Sequence, residues 1–318
     1  MKENEKKDDL FRFVEYSAEA AERTGYSDYS YWKSVFQNFL KKKSAVFMAI
    51  VFFALVIFSF VALHIGKYEY SSLKADSALA FQTPNSEFWF GTDNLGRSVA
   101  LRMLKGGQMT MTVGFVSVII SLVIGIIVGG IAGYYAGKVD IILMRIAEVV
   151  GSLPFIPLAL ILSALIGNKV SEIGRIIMIM VILGILSWPG VANMVRAQVL
   201  AERQKEFVTA AKALGVRERN IIFRHIVPNV MTIIIVSATL SFATCMLTES
   251  SLSFLGFGVG EPIPSWGNML NNCRSSEVIS QFWWRWVFPS IALGLCTISI
   301  NLFGDGLRKA IDPKSSER

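Results

Sequence analysis

Six uncharged apolar stretches recur along the chain: Ser44–Gly66, Gly106–Gly137, Val149–Asn168, Ile176–Val195, Ile226–Thr248 and Trp286–Gly304. Each is near or above the roughly 20 residues a helix needs to cross a bilayer. The pattern predicts an all-α integral membrane protein with six transmembrane helices. Between the fourth and fifth runs lies a polar island, Arg196 to His225. Inside it Phe207, Ala210, Ala211 and Leu214 follow one another at i, i+3, i+4 and i+7, one apolar face of a short helix, while Lys205, Glu206 and Lys212 point elsewhere. Gly215 tolerates the left-handed conformation that closes many helices, and Val216 to Phe223 begins a second helical stretch ahead of Pro228. Before the first run, residues up to about Ser30 read as disordered or as a surface helix, and Tyr31-Trp32 with Phe36 to Leu40 as an amphipathic segment at the membrane interface.

Composition agrees with the pattern. With 318 residues, 53% of them hydrophobic, and a mean hydropathy of +0.50, the chain is too apolar for a soluble protein of its size. The net charge of +7 raises nucleic acid as a partner, but the basic residues sit in loops beside apolar runs, and no zinc spacing or RNA-binding aromatic signature accompanies them. Lipid and orientation account for them more simply. If both termini, the 138–145 loop and the island share one side, that side holds 22 of the 31 Lys and Arg, which predicts an N-in, C-in topology. The expected division is a cytoplasmic segment 1–43, a first span 44–66, an outer loop 67–105, a five-helix core 106–307 containing the island 196–225, and a tail 308–318. No cleaved signal is expected, since over forty mostly polar residues precede the first run.

Side chains inside the runs carry further expectations. Gly125, Gly129, Gly133 and Gly137 repeat at four-residue spacing, which lets helices approach closely in lipid; packing within the chain is expected ahead of a dimerisation face. Pro154, Pro157 and Pro189-Gly190 predict breaks or kinks, around a cavity or without any functional role. Arg145 and Glu148 can neutralise each other at i, i+3. Asp93 and Arg97 form a candidate exposed pair of little energetic weight. Cys245, Cys273, Cys296, His64 and His225 have no metal or redox spacing, so no metal site is expected. Phosphate-loop, Gly-x-Ser-x-Gly and His-Glu-x-x-His motifs are absent, so the chain is not expected to catalyse on its own. An ion-driven transporter would place ionisable groups at mid-membrane, which the uncharged runs oppose, and a membrane-embedded enzyme would need convergent catalytic side chains.

Three separated stretches then carry a resemblance. Phe207-Val-Thr-Ala-Ala-Lys-Ala-Leu-Gly215 with Phe223-Arg-His-Ile-Val-Pro-Asn229 resembles the coupling motif of ABC-importer permeases, in which Glu-Ala-Ala, Gly and Pro recur at fixed spacing. Thr209 stands where that motif usually has Glu, and Glu206 lies one turn earlier. Phe90-Gly-Thr-Asp-Asn-Leu-Gly-Arg97 is similar to a signature of the C-type permease subunit of oligopeptide and dipeptide importers. So are Glu249-Ser-Ser-Leu-Ser-Phe-Leu-Gly-Phe-Gly-Val, Pro264-Ser-Trp-Gly-Asn-Met-Leu270 and Gly304-Asp-Gly-Leu-Arg308 with Asp312-Pro313. The resemblance runs from about Tyr31 to Pro313.

It implies a type I ABC importer permease fold in a bacterial cytoplasmic membrane, importing peptides, or alternatively another solute such as a metal chelate. It implies a second homologous permease subunit, an extracytoplasmic binding protein, and two ATPase subunits that hold ATP and Mg, with no cofactor on this chain. Glu206, Phe207, Thr209, Ala210, Ala211, Leu214, Gly215 and Pro228 would then serve ATPase coupling, and Gly91, Thr92, Asp93, Gly96 and Arg97 the outer-loop motif. Glu249, just past the fifth run, and Ser253 are candidates for the path or gate. Asp305 is expected merely to reach water.

Overall fold

The computed structural model describes residues 31–65, 76–167 and 170–311; the expectations for residues 1–30, for the start of the outer loop and for Asp312-Pro313 fall outside them. Backbone groups in lipid must be satisfied within the protein, and the apolar runs accordingly form helices, with a lone bridge between Thr92 and Ser98 the sole β pairing among the described residues. Helix α1 is Tyr31–Leu40, α2 Lys43–Ile65, α3 Val99–Tyr135, α4 Gly137–Ser152, α5 Phe155–Gly167 and α6 Glu172–Glu202. The short α7 is Glu206–Ala213. Then come α8 Glu218–Phe254, with a π-helical stretch over Ile221–Ile226, the short α9 Trp266–Asn271 and α10 Ser276–Gln281, and α11 Trp284–Ile311.

Five helices, α2, α3, α6, α8 and α11, are long and apolar enough to cross a membrane, and α4 with α5 passes the same test together as a sixth crossing bent by 78°. The bend falls at Leu153-Pro154, where proline lacks the N–H needed to continue the ladder. Two expectations are corrected here. The 138–145 stretch is part of α4 rather than a loop, because Asp140, Met144 and Ala147 recur on one buried face of a helix. The outer loop ends at Ser98 instead of residue 105, since the Ser98 hydroxyl caps α3 by accepting from the Leu101 N–H. In both cases the helix runs past the end of the uncharged stretch and carries charged residues, Arg102 and Asp140, that pair within the chain.

The tightest seam joins α3 to α6. A Cβ on Gly125 would meet Val191, one on Gly129 the Ala192 carbonyl oxygen, and one on Gly133 would lie 2.7 Å from the Arg196 carbonyl oxygen. Further along, Gly184 of α6 faces Ile120, and the Ser117 hydroxyl donates to the Met180 carbonyl at 3.1 Å. The glycine stripe therefore serves packing within the chain, as expected. On its other sides α3 meets α8, where Gly114 lies against Met246 and Phe242. Helix α1 buries Val35 and Phe39 against Ala45, Ala49 and Ala310 while Phe36 and Leu40 face outward, the amphipathic arrangement expected of an interfacial segment.

Replacing Gly129 by Val forces the α3 and α6 backbones apart. In detergent, Gly129→Val is expected to lower the melting temperature by several degrees, an overpacking cost of about 1–3 kcal/mol. At Gly294 nothing lies within 4 Å of an added Cβ. Gly294→Ala should leave the melting temperature unchanged or slightly raised by helix propensity.

Candidate functional site

The polar residues gather at two ends of the bundle. At the first, the island folds into an arm. Helix α7 closes in a Schellman arrangement: the Val216 N–H donates to Ala211 O at 3.1 Å and the Gly215 N–H to Lys212 O at 3.0 Å, with Gly215 at φ +73°. That left-handed residue turns the chain into α8 at Glu218. Val208 and Ala211 pack with Val199, Ile221 and Ile222 beneath α7, with Phe207 and Val216 half-buried at the rim. The arm is thus fixed to the ends of α6 and α8.

This packing corrects the single apolar face expected from periodicity. Ala211 is only 8% exposed and points into the chain, with Val208 beside it, whereas Ala210 is exposed and Leu214 is 82% exposed. The inward stripe runs through Val208 and Ala211. Glu206 and Thr209 are exposed with Ala210, Gly215 lies at the tip, and Pro228 sits at the start of the regular part of α8 beyond the π-helical stretch. Lys212 does not point away idly: its Nζ lies 5.0 Å from the centroid of the Tyr134 ring at the end of α3. Sequence reading also missed Asp140, which is mostly buried and pairs through both oxygens with Arg196, Oδ2 lying 2.6 Å from Nη2. Nothing in local periodicity links two residues so far apart; an acid on the buried face of an amphipathic helix was the available signal. Arg145 and Glu148 do pair, at 2.8 Å and in the open.

At the opposite end the signature loop is a folded cap. Thr92 accepts from the Gln82 N–H at 2.8 Å and donates to Leu79 O at 2.6 Å, and its own carbonyl accepts from the Trp284 indole at 3.1 Å. Gly91, at φ +70°, leaves no room for a side chain between Gln82 O and Trp284. The Leu95 and Arg97 N–H groups both donate to Asp93 Oδ1 at 2.9 Å, while Asp93 Oδ2 takes the Arg97 Nε at 2.8 Å. Gly96 completes the turn. The Asp93–Arg97 pair, expected to be exposed, is buried. Its reason is Glu261, from the distant 255–265 segment, which lies 2.9 Å from Arg97 and 2.6 Å from Arg102 and also accepts from Asn272 at 2.9 Å. Arg285 of α11 donates to Asn94 at 3.1 Å. Burial alone would raise the Glu261 carboxyl, but the two guanidiniums outweigh it and hold the group at about 2.

Beneath this cap lie the other two candidates. Glu249 is fully buried within the chain, where Ser253 donates to it at 2.6 Å and Ser250 at 3.3 Å. Ser253 in turn accepts from the Val259 N–H at 2.9 Å. Gly258 and Gly267 press directly on Ser253 and Ser250, so the Glu-Ser-Ser stretch anchors the 255–267 segment over the end of α8. Neither Glu249 nor Ser253 opens onto a surface. An open cavity of about 560 Å³ lies instead at the island end, between Met194 and Gln198 of α6, Ile233 to Leu240 of α8 and Arg308 of α11.

A multi-pass bundle with an ion-paired cap at one end, a projecting arm at the other and an open cavity beside that arm has the architecture of a membrane transport component. Residues 121–317 match the family described as binding-protein-dependent transport system inner membrane component, and residues 30–84 match the N-terminal TM domain of oligopeptide transport permease C. The chain belongs to the binding-protein-dependent transport permease family, whose fold is that of type I ABC importer permeases. Among its relatives is an oligopeptide transport system permease protein of Haemophilus influenzae, 37% identical over 95% of this chain and 94% of its own length. The corresponding Escherichia coli K12 protein is 38% identical over 90% of this chain and 92% of its own. A dipeptide transport system permease protein of Alkalihalophilus pseudofirmus is 35% identical over 91% of this chain and 92% of its own.

Because the carboxyl of Glu261 is held below its ordinary 4.5, its contribution to stability is complete above that pH and is lost as pH falls toward 2. The melting-temperature difference between the wild-type protein and Glu261→Gln should therefore be constant near neutrality, shrink below about pH 4.5 and vanish near pH 2.

Proposed function

We propose that this chain is the non-catalytic permease subunit of an ATP-driven peptide importer in a bacterial cytoplasmic membrane, oriented with both termini and the island inside. The observation that carries the reading is Leu214, a leucine 82% exposed at the tip of an arm whose other large apolar residues, Phe207, Val208 and Val216, are buried or half-buried. A large apolar side chain fixed in that position suits insertion into a groove of another protein. The two ATPase subunits supply that groove, with Glu206, Thr209, Ala210 and Leu214 as the contact side of α7, and they hold ATP and Mg. A second permease chain completes the path, for which the 560 Å³ cavity between α6, α8 and α11 provides an inner wall. Peptide enters from a binding protein outside, beside the cap formed by Asp93, Arg97, Arg102 and Glu261. Relatives named for oligopeptide and dipeptide transport support the cargo.

In this mechanism the permease does no chemistry. Closure of the ATPase subunits displaces α7, and because the arm is bonded to α6 and α8, those helices move with it and switch the path from inward- to outward-facing. Glu249 and Ser253 act from inside the chain, holding the 255–267 segment against α8 so that the outer end follows the helices.

Leu214→Glu places a charge that a groove must desolvate, at a cost of several kcal/mol if unpaired. Co-purification of the ATPase subunits is expected to fall by about tenfold or more, a factor that needs only about 1.4 kcal/mol. Thr209→Glu, which restores the family's usual acid at an exposed position, should keep assembly intact. Ala211→Glu should behave differently again, lowering the melting temperature of the isolated chain because its side chain points into the arm's own packing.

A further inference from the structure

We infer that Tyr134, with Lys212, is a positioning residue that passes the movement of the α7 arm into α3; the inference rests on the coupling role proposed for that arm. Tyr134 is 3% exposed, and it packs in the same cluster as Val199, Val208, Ala211 and Ile222, beneath α7. Its ring face receives the Lys212 ammonium at 5.0 Å, within the range of cation–π attraction. Tyr135 stands perpendicular to it at 5.3 Å. The last turn of α3 is therefore held against the arm by apolar packing and by Lys212, just ahead of the Gly215 turn.

What makes this more than local packing is the reach of α3. It is a single helix of 37 residues, and near its other end Thr110 accepts from the Trp266 N–H at 3.1 Å while Met103 O accepts from the Trp266 indole at 3.0 Å. Arg102, on the first turn of the same helix, binds Glu261 of the cap. One continuous rod thus joins the underside of the arm to the segment that covers Glu249. Helices α6 and α8 continue the island in sequence and move with it by connectivity. Helix α3 does not: it is joined to α6 through the glycine seam, and to α7 itself only through side-chain contacts such as that of Lys212 with Tyr134.

The test uses the full complex of this chain, its partner permease and two ATPase subunits in proteoliposomes, with an environment-sensitive fluorophore on Leu95→Cys, a 40%-exposed position of the cap loop. The signal is the change on trapping ATP with vanadate, which needs no transported solute. Lys212→Gln and Tyr134→Leu should each cut the equilibrium shift by about two- to fivefold, the range that an ordinary cation–π contact commands. ATP hydrolysis and assembly should remain. Lys212→Arg and Tyr134→Phe, which keep the cation and the ring face, should retain the shift, and the double variant should be no worse than either single one. A full shift in Lys212→Gln, additive losses in the double variant, or loss of assembly on Lys212→Gln would overturn the inference, the last by making Lys212 a contact to the ATPase instead. Absence of any shift in the unsubstituted complex would instead strike the proposed function itself.

Discussion

Three glycines one helical turn apart set α3 against α6 so closely that, at two of them, backbone carbonyls of α6 occupy the space a side chain of α3 would need. Water contributes little driving force between helices in lipid, so close packing of this kind, with interhelical hydrogen bonds such as that from Ser117 to Met180, must supply much of the adhesion. The seam also fixes geometry. With Gly133 lying against Arg196 and Val199, the end of α3 arrives where α6 leaves the bundle, and Tyr134 is thereby placed beneath the arm. Asp140, just after the turn from α3 into α4, reaches Arg196 on the same ground.

The two ends of the molecule are held by different physics, and each suits its place. The cap is a dense ionic knot: three buried arginines, Asp93 and Glu261 share hydrogen bonds with backbone groups and asparagines, which makes buried charges tolerable. Such a knot resists deformation. The arm is held chiefly by apolar contacts and by a lysine over an aromatic face, interactions that permit small rotations without breaking a network. In the proposed mechanism a stiff cap and a more compliant arm are bridged by the long helices between them.

Much of this was legible in the residues. The spans, the short helix ended by Gly215 and the role of the glycine stripe followed from periodicity, since those features depend on local spacing. What sequence did not reveal was direction. The i, i+3, i+4 rule identifies apolar positions on a helix but not which of two adjacent stripes finds a partner in its own chain, so Ala211 read as a contact surface although Val208 and Ala211 face inward. Nor does spacing expose pairs distant in the chain, such as Arg102 with Glu261 or Asp140 with Arg196. The Asp93–Arg97 pair looked exposed for that reason: its burial depends on a carboxylate more than 150 residues further on, as the separation of 164 between Arg97 and Glu261 records.

Coupling through the arm requires the cap and the arm to lie on opposite sides of the membrane, with the arm inside. Cysteine labelling with an impermeant thiol reagent addresses this directly, and the three native cysteines are buried. Glu277→Cys, exposed beside the cap, should react in intact cells, whereas Arg217→Cys, exposed on the arm, should react only after the membrane is permeabilised. Labelling of Arg217→Cys in intact cells would contradict the account.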